Sequence, residues 1–370
     1  MKPETLAIHA GNFPDDTNHP AIQSLTLATT FERNKPGPHQ YARASNPNRT
    51  SLESVLAKLE NGADAAAFSS GNAAGMTIFQ ALPAGSHVIV PDNMYNGLKM
   101  QILSLYNGIL DFTFADLTDL SGFEKNIRPE TKLLWIETPS NPMLEISNIV
   151  GLCTIAKAKN ITVVCDNTFA TPVFQQPLAL GADIVMHSST KFLGGHSDVL
   201  GGALITKNKD AFWERIRDIQ MVGGAVPSPF DCYLLTRSIK TLYYRMRGHV
   251  ENAQQLAEFL ETHPNVEKVL YPGMTSNGGH LMARQQMSGF GSILSFLVKG
   301  NAEQADGVVS RLKYFTHATS LGGVESLIER RASVESADTK TPQNLLRVSV
   351  GLEHIDDLMD DMKQALEYIK

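Results

Sequence analysis

One lysine of this 370-residue chain stands apart from its surroundings. In VMHSSTKFLGGHSDVLGG (185–202), Lys191 follows Ser188, Ser189 and Thr190 and precedes Gly194 and Gly195. No other Asp, Glu, Lys or Arg lies between Asp183 and Asp198. A solvated lysine is the ordinary reading, but surface lysines usually sit among other charges. Asp166 closes the apolar run ITVVC, 25 positions before Lys191. With one helix and one strand between them, the two side chains reach the same edge of a sheet. Taken alone, Asp166 reads as a helix cap. Together they suggest an amine that condenses with an aldehyde and a carboxylate that keeps a pyridine nitrogen protonated. Those are the working parts of a pyridoxal phosphate site.

That cofactor also needs a cup for its phosphate. FSSGNAAG (68–75) offers a strand end, then Ser69, Ser70, Gly71 and Asn72 opening a helix. Free backbone N–H groups and the helix dipole bind a dianion at such a place. The stretch is not GxxxxGK, and no G-x-G-x-x-G opens a helix, which counts against a nucleotide. Ser188 and Thr190 add hydroxyl donors beside the lysine.

These residues need a frame. SLESVLAKLENG (51–62) carries Leu52, Val55, Leu56 and Leu59 on one stripe and Gly62 as a stop, the pattern of a helix. HVIVPD (87–92), DFTFAD (111–116), KLLWIETPS (132–140), ITVVCDNT (161–168) and DIVMHSST (183–190) are short apolar runs. Helical stretches such as IVGLCTIAKAK and QPLALGA lie between most of them. Continuous apolar strands alternating with helices predict a mostly parallel sheet covered on both faces. Ligands of such sheets sit at the carboxyl ends of the strands, which makes Ser70, Asp92, Glu137, Asp166 and Ser188 candidates as a group.

Near 242 the pattern changes. A long charged helix, YYRMRGHVENAQQLAEFLE, precedes the strands GSILSFLVK, FTHATSLGG and NLLRVSVGLE and a terminal amphipathic helix from 355. The expected division is an N-terminal arm over 1–50, a large α/β domain over 51–242 and a smaller α+β domain over 243–370. The first 50 residues are rich in Pro, Asn and Thr yet keep scattered aromatics, so they read as an arm that packs on something.

The bulk composition restricts the function classes. With 42% hydrophobic and 19% charged residues and a net charge of −6, the chain has no general attraction to nucleic acid or an anionic membrane. No uncharged stretch is long enough for a membrane span, and no secretory leader is read at the start. Cys153, Cys165 and Cys232 have no metal-ligand spacing, and His187 and His196 near the lysine read as polar neighbours, so no metal site is expected. At least two of the cysteines lie in apolar runs, which suits a reducing cytoplasm.

YARASNPNRTSLE (41–53), ETPSNPMLEISNI (137–149), the whole of 165–202, SPFDCYLLTRSIKTL (228–242) and LLRVSVGLEHIDDL (345–358) resemble the Cys/Met-metabolism family of pyridoxal-phosphate enzymes. That family holds the cystathionine synthases and lyases and methionine γ-lyase. The resemblance implies the type I fold of the aminotransferase-like enzymes, with pyridoxal 5'-phosphate as cofactor. Lys191 is then the Schiff-base lysine, Asp166 the partner of the ring nitrogen and Tyr95 the residue stacked on the ring, able to act as acid or base. Gly71, Asn72, Ser188 and Thr190 hold the phosphate. Tyr41 and Arg43 match a Y-x-R pair lent to the neighbouring subunit, which implies a homotetramer built from dimers with shared active sites. Asn141, Ser320 and Arg347 face the amino-acid substrate, with Arg347 on its α-carboxylate.

The activity implied is γ-replacement or γ-elimination on sulfur amino acids or their precursors. Cystathionine γ-synthase-like chemistry comes first, and the γ-lyase, methionine γ-lyase and β-lyase reactions are alternatives. An aminotransferase and a catalytically silent cofactor-binding homologue are the rival classes. Three stretches differ from the usual family pattern: Asn72 stands for Met, Tyr95-Asn96-Gly97-Leu98 lacks the usual hydroxyl, and 329–343 is shorter.

Overall fold

In the computed structural model, which describes residues 1–13, 19–35, 37–335 and 339–369, the apolar runs of the first half join one seven-stranded sheet. Its strands are β1 (Asp64–Phe68), β2 (His87–Pro91), β3 (Asp111–Ala115), β4 (Thr131–Glu137), β5 (Thr162–Asp166), β6 (Ile184–His187) and β7 (Gly202–Thr206). The spatial order is β1-β7-β6-β5-β4-β2-β3. Strands β3, β2, β4, β5 and β6 pair in parallel, while β7 runs antiparallel to both of its neighbours.

Helices cover both faces, so the central strands are apolar on both sides. On one face, helix Gly71–Ala81 sets Ile78 and Phe79 in one cluster with Trp135 and Val164. On the other, helix Ile149–Ala158 sets Leu152 and Ala156 in a cluster with Leu134, Ile136 and Cys165. Register pairs Glu137 with Asp166 and Asp166 with Met186. The carboxyl ends of β4, β5 and β6 therefore finish level.

The second half forms a five-stranded sheet ordered β10-β11-β12-β9-β8. Its strands are β8 (Val266–Leu270), β9 (Ile293–Val298), β10 (Thr316–His317), β11 (Leu327–Arg330) and β12 (Leu345–Ser349). Helices Leu242–Thr262, Ala302–Val309 and Ile355–Leu366 pack on one face, where Leu346 and Val348 of β12 enter the core. Arg347, between them, points to the opposite face by strand alternation. No described helix is long and apolar enough to cross a membrane.

Several details differ from the sequence reading, in which β8 and β11 of the second sheet have no counterpart. The helix expected from 51 starts at Pro47, because the Asn46 side chain accepts from the Asn48 and Arg49 amides and proline suits the first helical position. Residues 1–50 open with a helix, Pro3–His9, whose Ala7 is buried in one cluster with Leu52 and Val55 of the same chain. Strand β7 went unread, since GALIT follows a run of glycines and small residues. FTHATSLGG is extended only at Thr316–His317, because Ser320 (φ 103°) and Gly322 (φ 80°) turn the backbone through the left-handed region. A side chain at 322 would also meet the Phe192 amide nitrogen at 2.7 Å.

Candidate active site

The turn after β6 presents the lysine. The Lys191 amide donates to Ser188 O at 3.1 Å and the Gly195 amide to Lys191 O at 2.7 Å, closing a tight coil. Phe192 and Leu193 are buried in the core beneath, so Lys191 faces away from that core toward the ends of β4 and β5. Its Nζ donates to Ser320 Oγ at 2.6 Å. Burial pushes the amine from 10.5 down to about 8, and the Arg347 and Arg331 charges add to this while Glu329 opposes them.

Asp166 is buried at the end of β5. Its Oδ1 accepts from the Thr168 amide at 2.9 Å and the Thr168 hydroxyl at 2.5 Å. Burial raises its pKa, and the two Thr168 bonds hold the rise back. Glu137, its register partner on β4, accepts from the Tyr95 amide at 2.7 Å. Burial and then the Asp166 charge push Glu137 well above the ordinary carboxylate range. Two desolvated carboxyls this close do not both ionise readily; the stronger upward push falls on Glu137, while the two Thr168 donors favour the anion on Asp166.

Helix Gly71–Ala81 aims its N-terminus at the same place. Ser70 caps it by accepting from the Ala73 amide, which leaves the Gly71 and Asn72 amides directed outward. A Cβ at 71 would lie 2.9 Å from both Cβ and Oγ of Ser188, so only glycine lets the two segments meet. From the second sheet, Arg347 Nη1 donates to Asn141 Oδ1 at 3.1 Å and Nη2 to Ser320 O at 2.9 Å and to Glu329. Burial lowers Arg347 to about 10, still charged at neutral pH.

One cavity of about 280 Å³ is lined by ten of the twelve residues expected at the site: Gly71, Asn72, Tyr95, Asn141, Asp166, Ser188, Thr190, Lys191, Ser320 and Arg347. Tyr41 and Arg43 are not among its lining. Tyr41 is exposed, and Arg43 donates to Met221 O of its own chain at 2.8 Å. Thr190 lines the cavity, but its hydroxyl donates to Gly201 O at 3.2 Å and accepts from the Gly201 amide at 3.0 Å. Of the strand-end candidates, Asp92 lies in a neighbouring cavity and pairs with Lys340 at 3.1 Å.

Leu98 stands where a hydroxyl was expected near the ring of Tyr95. It is buried under the helix at Gly75, so it belongs to the core. His187 is buried as well and meets Glu60 Oε1 at 2.6 Å. Thr168 and Arg331 line the cavity and were not read from the sequence. An Asp-x-Thr turn could have revealed Thr168, whereas the run Glu329-Arg330-Arg331 reads as solvated charge. Within 329–343, residues 336–338 lie outside the described residues.

Comparison with known proteins agrees with this geometry. The family model described as "Cys/Met metabolism PLP-dependent enzyme" matches residues 4–367. Cystathionine gamma-synthase of Mycobacterium leprae is 45% identical over 98% of this chain and 96% of its own. Cystathionine beta-lyase of Coxiella burnetii is 42% identical over 98% and 97%. The crystal structure of cystathionine gamma-lyase from Lactobacillus plantarum, complexed with L-serine, superposes with a TM-score of 0.95 at 39% identity, covering 100% of this chain and 99% of that one. A lysine and an aspartate at adjoining strand ends, a helix N-terminus beside them and likeness along the whole chain lead to one conclusion: this chain belongs to the Cys/Met-metabolism family of pyridoxal-phosphate-dependent enzymes.

Proposed function

We propose that this trans-sulfuration enzyme catalyses γ-replacement or γ-elimination, and that its first activity is cystathionine γ-synthase-like, joining an O-acylhomoserine to cysteine. The observation that carries the reading is Lys191: a largely buried amine, lowered to about 8, in one cavity with Asp166 and Arg347.

The residues fit pyridoxal 5'-phosphate. The outward amides of Gly71 and Asn72 and the Ser188 hydroxyl suit a phosphate, with Thr190 able to join by turning its hydroxyl from Gly201 O. The Asp166 carboxylate suits the ring nitrogen, and Tyr95 suits the ring face. When bound, the cofactor supplies the electron sink that makes the substrate's Cα proton acidic. Lys191 Nζ takes that proton, because its lowered pKa leaves part of the amine neutral near pH 7. Nζ then hands that proton back to the bound substrate–cofactor system, and the amine so freed takes a second proton from Cβ as the substituent on Cγ departs. Ser320 Oγ orients Nζ between these transfers. Arg347 grips the α-carboxylate and Asn141 steers that guanidinium. The Tyr95 hydroxyl stands ready as the acid for the leaving group.

Tyr41 and Arg43, away from their own cavity, are read as lent to a neighbouring subunit. The functional particle is then a homotetramer of dimers with shared sites. Three buried free thiols suit a cytoplasmic setting. The test is a product assay on purified enzyme with O-acetyl- or O-succinylhomoserine plus cysteine, cystathionine alone, and methionine. Cystathionine formed from an acylhomoserine supports the synthase reading. Release of 2-oxobutanoate from cystathionine favours the γ-lyase alternative, and turnover confined to the β-carbon defeats both. Borohydride reduction followed by peptide mapping must place the cofactor adduct on Lys191.

A further inference from the structure

Beyond its charge helping to lower Lys191, Arg331 has no task in the reaction just described. It opens a 3-10 turn, Arg331–Ser333, directly after β11, and it is 5% exposed. It lines the same cavity as Lys191 and Arg347. Its Nη1 donates to Glu329 Oε1 at 3.0 Å, and that same oxygen accepts from Arg347 Nη2. Glu329 Oε2 takes the Thr319 hydroxyl at 3.2 Å. One buried carboxylate thus stands between two buried guanidinium groups.

The charge balance gives this arrangement a consequence. Arg347 and Glu329 alone form a neutral pair, with little field left for a third partner. A second guanidinium on the same oxygen makes the triad net positive, and in a wall shielded from water that charge draws an anion. On the far side, Arg331 Nε donates to Glu335 Oε1 at 3.2 Å. Glu335 Oε2 accepts from the Thr339 and Thr341 hydroxyls. Counting Glu335 the four charges sum to zero, but Glu335 lines the neighbouring cavity and not this one, so it tempers the pull of Arg331 here and does not cancel it.

We infer that Arg331 is a positioning residue for the substrate α-carboxylate: it occupies Glu329, so that the Arg347 guanidinium is left to be matched by the incoming carboxylate, and Glu335 tempers that pull. The inference rests on the reading that Arg347 receives the α-carboxylate. Holoenzyme is titrated calorimetrically with 2-aminopentanoate and with its carboxamide, which lacks the carboxylate charge. The ratio of the two affinities is the readout, compared between enzymes at one pH so that the difference in α-amine basicity cancels.

R331M lowers the acid-to-amide ratio about tenfold, the order expected for one charge acting across about 10 Å at an effective dielectric constant of about 20, and R331K restores most of it. E335Q moves the ratio the other way, upward, which loss of a merely structural contact would not do. An unchanged ratio in R331M, or a fall in both R331M and E335Q, overturns the inference. If R331M does not fold, E335Q decides alone: a rise supports the inference, and no rise overturns it. R347M separates the two layers. If R347M leaves the ratio intact, the reading of Arg347 fails; if R347M collapses the ratio while R331M does not, only the role of Arg331 fails.

Discussion

Replacing Lys191 by methionine should stabilise the cofactor-stripped protein while abolishing activity. The free amine is pushed from 10.5 to about 8, chiefly by burial. At 1.36 kcal/mol per pKa unit, that drop means the folded state carries about 3 kcal/mol of charge desolvation at neutral pH. Below pH 8 the amine is charged in both the folded and the unfolded chain, and the full cost is present. As pH rises from about 8 toward 10.5, the folded amine is already neutral, the unfolded one still loses its proton, and the cost fades. Methionine keeps an unbranched side chain of similar length and carries no charge. It also forfeits the 2.6 Å bond to Ser320 Oγ, which offsets roughly 1 kcal/mol. The net expectation is a gain of about 2 kcal/mol at pH 7 that turns into a loss of roughly 1 kcal/mol by about pH 10.5, where only the missing hydrogen bond is left. Urea unfolding of both stripped proteins, at equal protein concentration and at both pH values, measures it. A variant no more stable than wild type at pH 7, or a gain equal at both pH values, refutes the reasoning.

Three further expectations follow from neighbouring contacts. T168V removes the hydroxyl donor from Asp166 and leaves the amide donor, so the carboxyl protonates at higher pH. The acid limb of kcat/KM should move up by about one pH unit, and an unmoved limb would deny Thr168 this role. G71A puts a methyl group 2.9 Å from Ser188 Cβ and spreads the phosphate cup. Cofactor affinity, followed by visible absorbance, should weaken at least about tenfold, and an unchanged titration would locate the phosphate elsewhere. R43A should also weaken cofactor binding although Arg43 lies outside the cavity of its own chain. Full affinity in R43A would leave the sharing of sites between subunits without support.

How much of this was legible in the sequence depended on whether a residue's task shows locally. Lys191 and Asp166 declared themselves because each ends or follows an apolar strand, and the βαβ spacing sets such positions side by side. Gly71 was legible for the same reason, as a small residue opening a helix. Arg347 was not legible from its own surroundings: LLRVSVG reads as a strand with one charge, and only the resemblance singled it out. Thr168 and Arg331 act through bonds to Asp166 and Glu329 that no periodicity reveals. The left-handed backbone at Ser320 is likewise invisible, since it follows from packing against the lysine turn. Tyr41 and Arg43 are singled out by the Y-x-R pattern alone, and within one chain neither lines the cavity.

The lysine turn also shows how a costly group is kept in place. Phe192 and Leu193, next in sequence to Lys191, are almost fully buried in a core shared with Val185 and Met246. The Phe192 carbonyl accepts from Arg245 Nη1 at 2.7 Å, while Nη2 of the same side chain donates to Ser238 O at 3.0 Å. Gly195, at φ 70°, lies so close that a Cβ there would meet Arg245 Nη1 at 2.1 Å. Burial lowers Arg245 only to about 10, so it stays charged while it grips the turn. Helix Leu242–Thr262, which carries Arg245, also packs against the second sheet through Leu256, Ala257 and Leu260. The turn that holds Lys191 is therefore fastened to the helix that supports the strand of Arg347. Any shift between the two sheets would act on the amine and the guanidinium together, because Arg245 ties the lysine turn to the helix that packs on the second sheet.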